Sequence, residues 1–401
     1  MHQTSFSLSL FPRIEFGSGM IKLLPEIIRH YGQHVLLITG KHSFPQSRQW
    51  HELILQLDQQ QIQWSHITIS GEPSPEFVDT AVQQFSSAQI QCVVAIGGGS
   101  ALDSGKAISG LLTSGDSVME YLEGVGAGET YRGPAVPFIA VPTTAGTGSE
   151  ATKNSVLSDI GKNGYKKSFR DEQLIPQYAI IDPDLLQSCP KSLIAANGMD
   201  ALTQLMESYL STKANPFTDA IALSGLEAVR DSLLFWYHSD DTTNSEAVAQ
   251  ARANMAYAAL ISGITLAQVG LGSVHGLASP LGAFFPIPHG IACGTVLAEA
   301  TRINIDAMKE REPENPGLKK YAIIGRLLCR QSDLDNALAQ EQLLQLLSDW
   351  SREMALEPLS AYGVSEVDIP RLVDNISPSS MKTNPIILTQ SEKERLVRSG
   401  L

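Results

Sequence analysis

Over the first 185 residues of this 401-residue chain, short runs rich in β-branched residues alternate with stretches of helical periodicity; after Asp182-Pro183 the β runs stop. VLLITG (35–40), IQWSHITI (62–69), CVVAIGGGS (92–100), PFIAVPTT (137–144) and YAIIDP (178–183) read as strands, and ALDSGKAISGLL reads as a helix behind the third of them. Strand and helix at this spacing predict a mostly parallel sheet covered on both faces. Residues 190–400 keep the helical period almost without strand runs, as in SEAVAQARANMAYAALISGI and AQEQLLQLLSDWSREMAL. The expected fold is an α/β domain over 1–185 followed by an all-α domain over 186–401. The charged, proline-bearing segment 305–320 reads as an exposed loop.

Composition narrows the function classes. A formal net charge of −13 repels phosphate backbones and anionic lipid, so nucleic acid and membrane surfaces are not expected as partners. No apolar run is long enough for a membrane span, and the first residues lack the basic and apolar regions of a signal peptide. Cys92, Cys189, Cys293 and Cys329 are widely spaced and form no CxxC, which argues against a disulfide framework and against a thiolate zinc site. Four buried free thiols in a reducing, cytoplasmic setting are the expectation.

Two loops carry candidate nucleotide chemistry. Gly97-Gly98-Gly99-Ser100 follows an apolar strand and opens a helix, where glycines let a pyrophosphate approach the backbone and the helix N-terminus meets its charge. Asp103 and Lys106 lie one turn on. The pattern is not GxGxxG, and a glycine cluster is also what a tight turn requires. VPTTAGTGSEAT (141–152) follows another strand with Thr143, Thr144, Thr147, Ser149 and Thr152, hydroxyls that suit ribose, nicotinamide amide or phosphate but equally a solvated loop. Both loops fall at carboxyl ends of strands, the edge where open α/β sheets bind ligands.

The helical half carries candidate metal chemistry. Asp200 and Gln204 are four apart, on one helix face. His275 and His289 are the only histidines after His238; each precedes a glycine, and His289 follows Pro288. A carboxylate, an amide oxygen and two imidazoles suit Fe²⁺ or Zn²⁺ with a position left for substrate. Spacing alone leaves open the plainer reading, that such pairs arise by chance and that histidines in apolar stretches are core residues.

Taken in order, GGGSALDSGK, PTTAGTGSEAT, GMDALT and VHGLASPLGAFFPIPHG, with RIEFGSGMIKLLPE and NPIILT at the ends, resemble the iron-containing alcohol dehydrogenase family over nearly the whole chain. The resemblance implies NAD(P)-linked alcohol oxidation or aldehyde reduction on a divalent metal, with Fe²⁺ expected and Zn²⁺ as the alternative. It implies a small alcohol or aldehyde as substrate and a homodimer or larger homo-oligomer. It places Gly98, Gly99 and Ser100 on the pyrophosphate with Asp103 beside them. Thr143, Thr144, Thr147 and Lys166 (Lys167 being the rival) would face coenzyme, and Asn154 and Leu266 the substrate. Asp200, His275 and His289 match three of four family ligands.

Three departures from the family pattern matter. Gln204 stands where the family has a histidine, offering a weaker, neutral donor. Ser279 stands where it often has a proton-passing histidine after His275, so any relay runs through water, a hydroxyl or the coenzyme ribose. Gly40 ends the first long strand where NAD-dependent members carry an aspartate, and Lys41, His42 and Ser43 follow, which favours NADP over NAD. Rival readings are a metal-free reductase, a dehydroquinate-synthase-like lyase of the same fold, and a non-catalytic descendant. The segments around 200 and 270–290 are nearly free of basic residues, against an anionic lyase substrate. No GxSxG occurs, against serine-nucleophile chemistry.

Overall fold

The structure is a computed structural model, and it describes residues 5–239 and 245–401. The chain divides into two compact units. One is formed by Leu10–Asp159 and Lys166–Cys189, and the other is built on Pro190–Leu401 with short pieces before Leu10 and between Asp159 and Lys166.

The first unit alternates β1 (Arg13–Phe16), α1 (Leu24–Tyr31), β2 (His34–Gly40), α2 (Arg48–Gln59), β3 (Gln63–Ile69), α3 (Pro75–Phe85), β4 (Cys92–Gly97), α4 (Gly99–Leu111) and β5 (Phe138–Pro142). Then come β6 (Asn154–Asp159), β7 (Tyr165–Arg170) and β8 (Tyr178–Ile181). Six strands form one sheet in the order β1-β8-β5-β4-β2-β3, and every neighbouring pair is parallel. The mostly parallel sheet expected from the alternation is what forms. All six residues of β4 are buried, as a strand covered on both faces requires. The helices start where the local chemistry allows. Ser47 and Ser74 accept backbone N–H groups at the openings of α2 and α3, and Pro75 takes the first turn of α3. Asp182, just past β8, accepts the backbone N–H groups of Gly19 and Ile21 at 3.1 Å each, tying the chain after β1 to the sheet.

The paired strands β6 and β7 form a separate two-stranded sheet that the sequence reading did not anticipate. Their residues, NSVLSD and YKKSFR, are mostly polar and carry little alternation.

The second unit is helical: α5 (Lys191–Leu210), α6 (Pro216–His238), α7 (Glu246–Val269), α8 (Ser273–Phe284), α9 (His289–Arg311), α10 (Pro316–Cys329), α11 (Asn336–Glu353) and three shorter helices. The loop expected at 305–320 is a correction, since α9 and α10 occupy most of it and only 312–315 connect them. Ile305, Ala307 and Met308 are buried, so the charges there decorate one face of a helix. Pro316 opens α10 behind its cap Asn315, where a proline does not interrupt the ladder. Among the described residues no single helix is long and apolar enough to cross a membrane.

α9 lies close on α5 through glycine. A Cβ on Gly290 would meet the Ala196 carbonyl oxygen at 2.0 Å, and one on Gly294 would meet Met199 Cβ at 2.9 Å. Only a bare α-carbon permits that approach.

Candidate metal centre and coenzyme-binding edge

In the sheet, β2 and β4 are neighbours, but the chain moves outward to β3 from one and to β5 from the other. This is a topological switch point, where the strand ends open a crevice. Gly40 closes β2 and Gly97 closes β4; a Cβ on Gly97 would lie 3.5 Å from the Gly40 backbone nitrogen. Gly98 caps α4 and offers no side-chain hydrogen bond, so the 13-residue helix opens at Gly99 and Ser100 without a side-chain cap for its first N–H groups. A Cβ on Gly98 would stand 3.3 Å from Thr144, and one on Gly99 2.8 Å from Thr147 Cγ2. The glycine loop and the threonine loop therefore rest on each other. Thr143 donates its backbone N–H to the Gly97 carbonyl at 2.9 Å. Gly40, Gly98, Gly99, Ser100, Thr143, Thr144 and Thr147 thus share one sheet edge.

Asp103, partly exposed on the same helix, is also held within the protein. Its Oδ1 accepts from the Ser149 hydroxyl and lies 3.3 Å from Lys106 Nζ, and its Oδ2 accepts the Val156 N–H at 3.0 Å. Lys106, with no exposed surface, also donates to Thr152 Oγ1 at 2.8 Å and to the Asn154 carbonyl at 2.7 Å. Asp103 therefore braces the threonine loop against α4. Burial lowers the Lys106 pKa, which Asp103 opposes. Burial raises Glu150 to about 7, with only partial relief from its own backbone N–H and from Lys106. Lys166 is ion-paired with Glu72 at 2.9 Å. Asn154 opens β6, half-buried, and Leu266 is half-buried on α7.

The metal candidates lie wholly within the helical unit. Asp200 stands mid-way along α5, His275 near the start of α8 and His289 at the start of α9. His275 Nε2 lies 3.2 Å, and His289 Nε2 3.8 Å, from Asp200 Oδ1. The sequence reading missed two further members. Cys293, one turn past His289 on α9, brings its sulfur to 3.7 Å from His275 Nε2 and 3.9 Å from His289 Nε2. One ligand atom from each of Asp200, His275, His289 and Cys293 lies within 4.8 Å of the others. The sulfur reaches this cluster by helical spacing from a histidine, without a CxxC. Glu207 is the other. It lies seven residues after Asp200 on the same face of α5, accepts from His275 Nδ1 at 2.7 Å and accepts the Val274 N–H at 2.7 Å. That pairing favours a proton on Nδ1 and directs Nε2, 3.2 Å from Asp200 Oδ1, into the cluster.

Gln204 sits beside the cluster with its amide oxygen, the atom that could ligate, turned away from it. Its amide oxygen accepts from the Ser262 hydroxyl at 2.6 Å, and its amide nitrogen side hydrogen-bonds Asp200. Ser279, one turn after His275 on α8, is half-buried.

These residues fit a cation. Asp200 is 1% exposed, and its buried Oδ2 has no hydrogen-bond partner among the described residues. Such an orphan acceptor is costly unless a positive charge meets it. Burial works against its ionisation, yet His289, His275 and Gln204 hold its carboxyl below the usual carboxylate range. Burial likewise opposes a charged His275, but Cys293, Asp200 and Glu207 hold it well above the usual imidazole range. A proton and a cation therefore compete for one anionic pocket.

Comparison with known proteins agrees with both halves. Residues 12–183 match the family model of the iron-containing alcohol dehydrogenases, and residues 194–400 match the model of that family's C-terminal part. Alcohol dehydrogenase 4 of Schizosaccharomyces pombe is 32% identical, covering 96% of this chain and 87% of the relative. Lactaldehyde reductase of Escherichia coli is 30% identical, covering 89% of each. The crystal structure of sulfoacetaldehyde reductase from Bifidobacterium kashiwanohense in complex with NAD⁺ superposes with a TM-score of 0.83 at 28% identity, covering 99% of each chain. The chain belongs to the iron-containing alcohol dehydrogenase family and is a metal-dependent, nicotinamide-linked oxidoreductase of alcohols and aldehydes.

Proposed function

We propose that this enzyme interconverts a small, uncharged alcohol and its aldehyde, with NADPH preferred over NADH, and that residues 1–185 hold the coenzyme and 186–401 the metal. The observation that carries this reading is the cluster of buried Asp200 and His275 with half-buried His289, in a chain that also presents a helix N-terminus without a side-chain cap at its sheet switch point. The cation, Fe²⁺ or Zn²⁺, when bound polarises the substrate oxygen, and the nicotinamide supplies or accepts the hydride.

The chain's own residues do the rest. Gly98, Gly99 and Ser100 offer backbone N–H groups to the pyrophosphate. Thr143, Thr144 and Thr147 offer hydroxyls to ribose and amide, and Lys166 reaches coenzyme by leaving Glu72. Asp200, His275 and His289 hold the ion, and Glu207 keeps His275 in its ligating tautomer. Asn154 and Leu266 face substrate, and the Ser279 hydroxyl passes the proton to solvent.

NADPH is favoured because no carboxylate stands at Gly40 to repel a 2′-phosphate, while Lys41, His42 and Ser43 are exposed behind it. The NAD⁺ held by the sulfoacetaldehyde reductase relative makes NADH the comparison to run. Exposed Phe6, Leu8, Leu10 and Phe11 support association with a second copy of this chain. Four cysteines free of disulfides support a reducing, cytoplasmic compartment.

The test is an aldehyde panel with NADPH and NADH in parallel, after anaerobic loading with Fe²⁺ or Zn²⁺. The expected result is net oxidation of reduced nicotinamide, faster with NADPH. Product formation that returns the nicotinamide to its starting state would replace this reading with the lyase.

A further inference from the structure

We propose that the Cys293 sulfur, as thiolate, takes the fourth protein position on the ion in place of Gln204, giving a carboxylate, two-imidazole, one-thiolate set that selects Zn²⁺ over Fe²⁺. The inference rests on the metal-dependent reading above and names the donor set and ion of that same site.

Geometry is the first support. At zinc bond lengths, a tetrahedral arrangement separates nitrogen from oxygen by about 3.3 Å and nitrogen from sulfur by about 3.6 Å. His275 Nε2 to Asp200 Oδ1 is 3.2 Å, and Cys293 Sγ to the two imidazole nitrogens is 3.7 and 3.9 Å. These three pairs stand within about 0.3 Å of the spacing an ion would impose, and His289 Nε2, 3.8 Å from Asp200 Oδ1, has to close in on binding.

The second support is what Gln204 does. Its oxygen is committed to Ser262, and turning the amide over would set that oxygen against the Asp200 carboxylate. The orientation seen is the one electrostatics allows, and it points the nitrogen side at the ligands. An N–H donor cannot ligate.

The third support is the company the sulfur keeps. Cys293 is fully buried, and its hydrogen-bonding partners among the described residues are the two imidazoles of the cluster. Cys92, equally buried, lies against a backbone carbonyl of its own strand, as a packing thiol does. Asp200 Oδ2, the other oxygen of the carboxylate in this cluster, is buried and has no hydrogen-bond partner among the described residues.

On binding, the thiol proton leaves to solvent and the sulfur electron pair goes to the ion. A thiolate is a softer donor than imidazole or amide, and such donors suit zinc. Four protein donors leave a fifth position, which zinc accepts when a catalytic site expands its coordination.

The experiment uses the full chain, stripped of metal and reloaded with Co²⁺, whose thiolate complexes show a charge-transfer absorption in the near ultraviolet. Wild type and Gln204→Ala should both show it, and Cys293→Ala should lose it while still binding cobalt. In Zn²⁺ competition, Cys293→Ala should weaken binding at least about tenfold, and the preference for zinc over iron should narrow. Stoichiometric cobalt in the wild type without the thiolate band overturns the proposal and leaves the metal-dependent reading standing, and so does a band unchanged in Cys293→Ala. A wild-type chain that takes up neither Co²⁺ nor Zn²⁺ overturns both.

Discussion

Glu207→Gln is the substitution that most directly tests how His275 is held. The carboxylate accepts two N–H groups at once, from His275 Nδ1 and from Val274, each at 2.7 Å. Glutamine keeps the shape but brings one acceptor and one donor. Whichever way the amide turns, one buried N–H faces another, and an unpaired buried donor costs about 1–3 kcal/mol. The imidazole can escape by moving its proton to Nε2, but that tautomer aims N–H at Asp200 and no longer offers a lone pair to an ion. Both outcomes draw on the free energy of metal binding. Loss of such an outer partner weakens metal affinity by about 10–100-fold, or roughly 1.4–2.7 kcal/mol. The measurement is chelator competition on wild type and Glu207→Gln, with folding checked by circular dichroism. Affinity within twofold of wild type in a folded variant would refute the claim that Glu207 sets the ligating tautomer.

Gly99→Ala places a methyl 2.8 Å from Thr147 Cγ2, so the two loops must part; coenzyme titration should show affinity down at least about tenfold with metal content unchanged. Gly40 has open space beside its α-carbon, so Gly40→Asp should fold normally; a carboxylate bonded to ribose hydroxyls is worth about 1.5–3 kcal/mol, enough to turn the kcat/KM ratio toward NADH by about tenfold or more. Glu150 has its folded pKa raised from 4.5 to about 7. Its contribution is therefore fully present below pH 4.5 and is lost as pH rises through about 7, on the order of 3 kcal/mol in all. Glu150→Gln should remove that slope, so denaturant unfolding of the variant should overtake wild type above neutral pH; parallel curves would count against the burial argument.

The α/β order was legible because β2, β4, β5 and β8 are apolar runs that end at or just before glycine or proline, as buried strands do. Asp200, His275 and His289 were legible because histidine is scarce here and helical spacing is regular. Cys293 and Glu207 carried the same signal, four residues from His289 and seven from Asp200, but a cysteine without CxxC and a glutamate on a helix each have a commoner explanation. Asp103 looked like a coenzyme contact because it sits just inside the glycine turn. Only three dimensions show Ser149, Lys106 and Val156 already holding it. Segment 305–320 hides its helices because its charges are many and local, while Ile305, Ala307 and Met308 are buried in a helix that continues from His289.

The glycine seam between α5 and α9 has a consequence for how such a pocket changes over time. Because Gly290 and Gly294 fix the spacing of the two backbones, the side chains flanking the seam can be exchanged without re-laying the helices. A donor withdrawn from one wall, at 204, can be answered by one raised on the other, at 293, while the scaffold stays put. Ion choice then becomes a matter of single-residue swaps, whereas enlarging either glycine would spread the walls and spoil the grip for every ion alike.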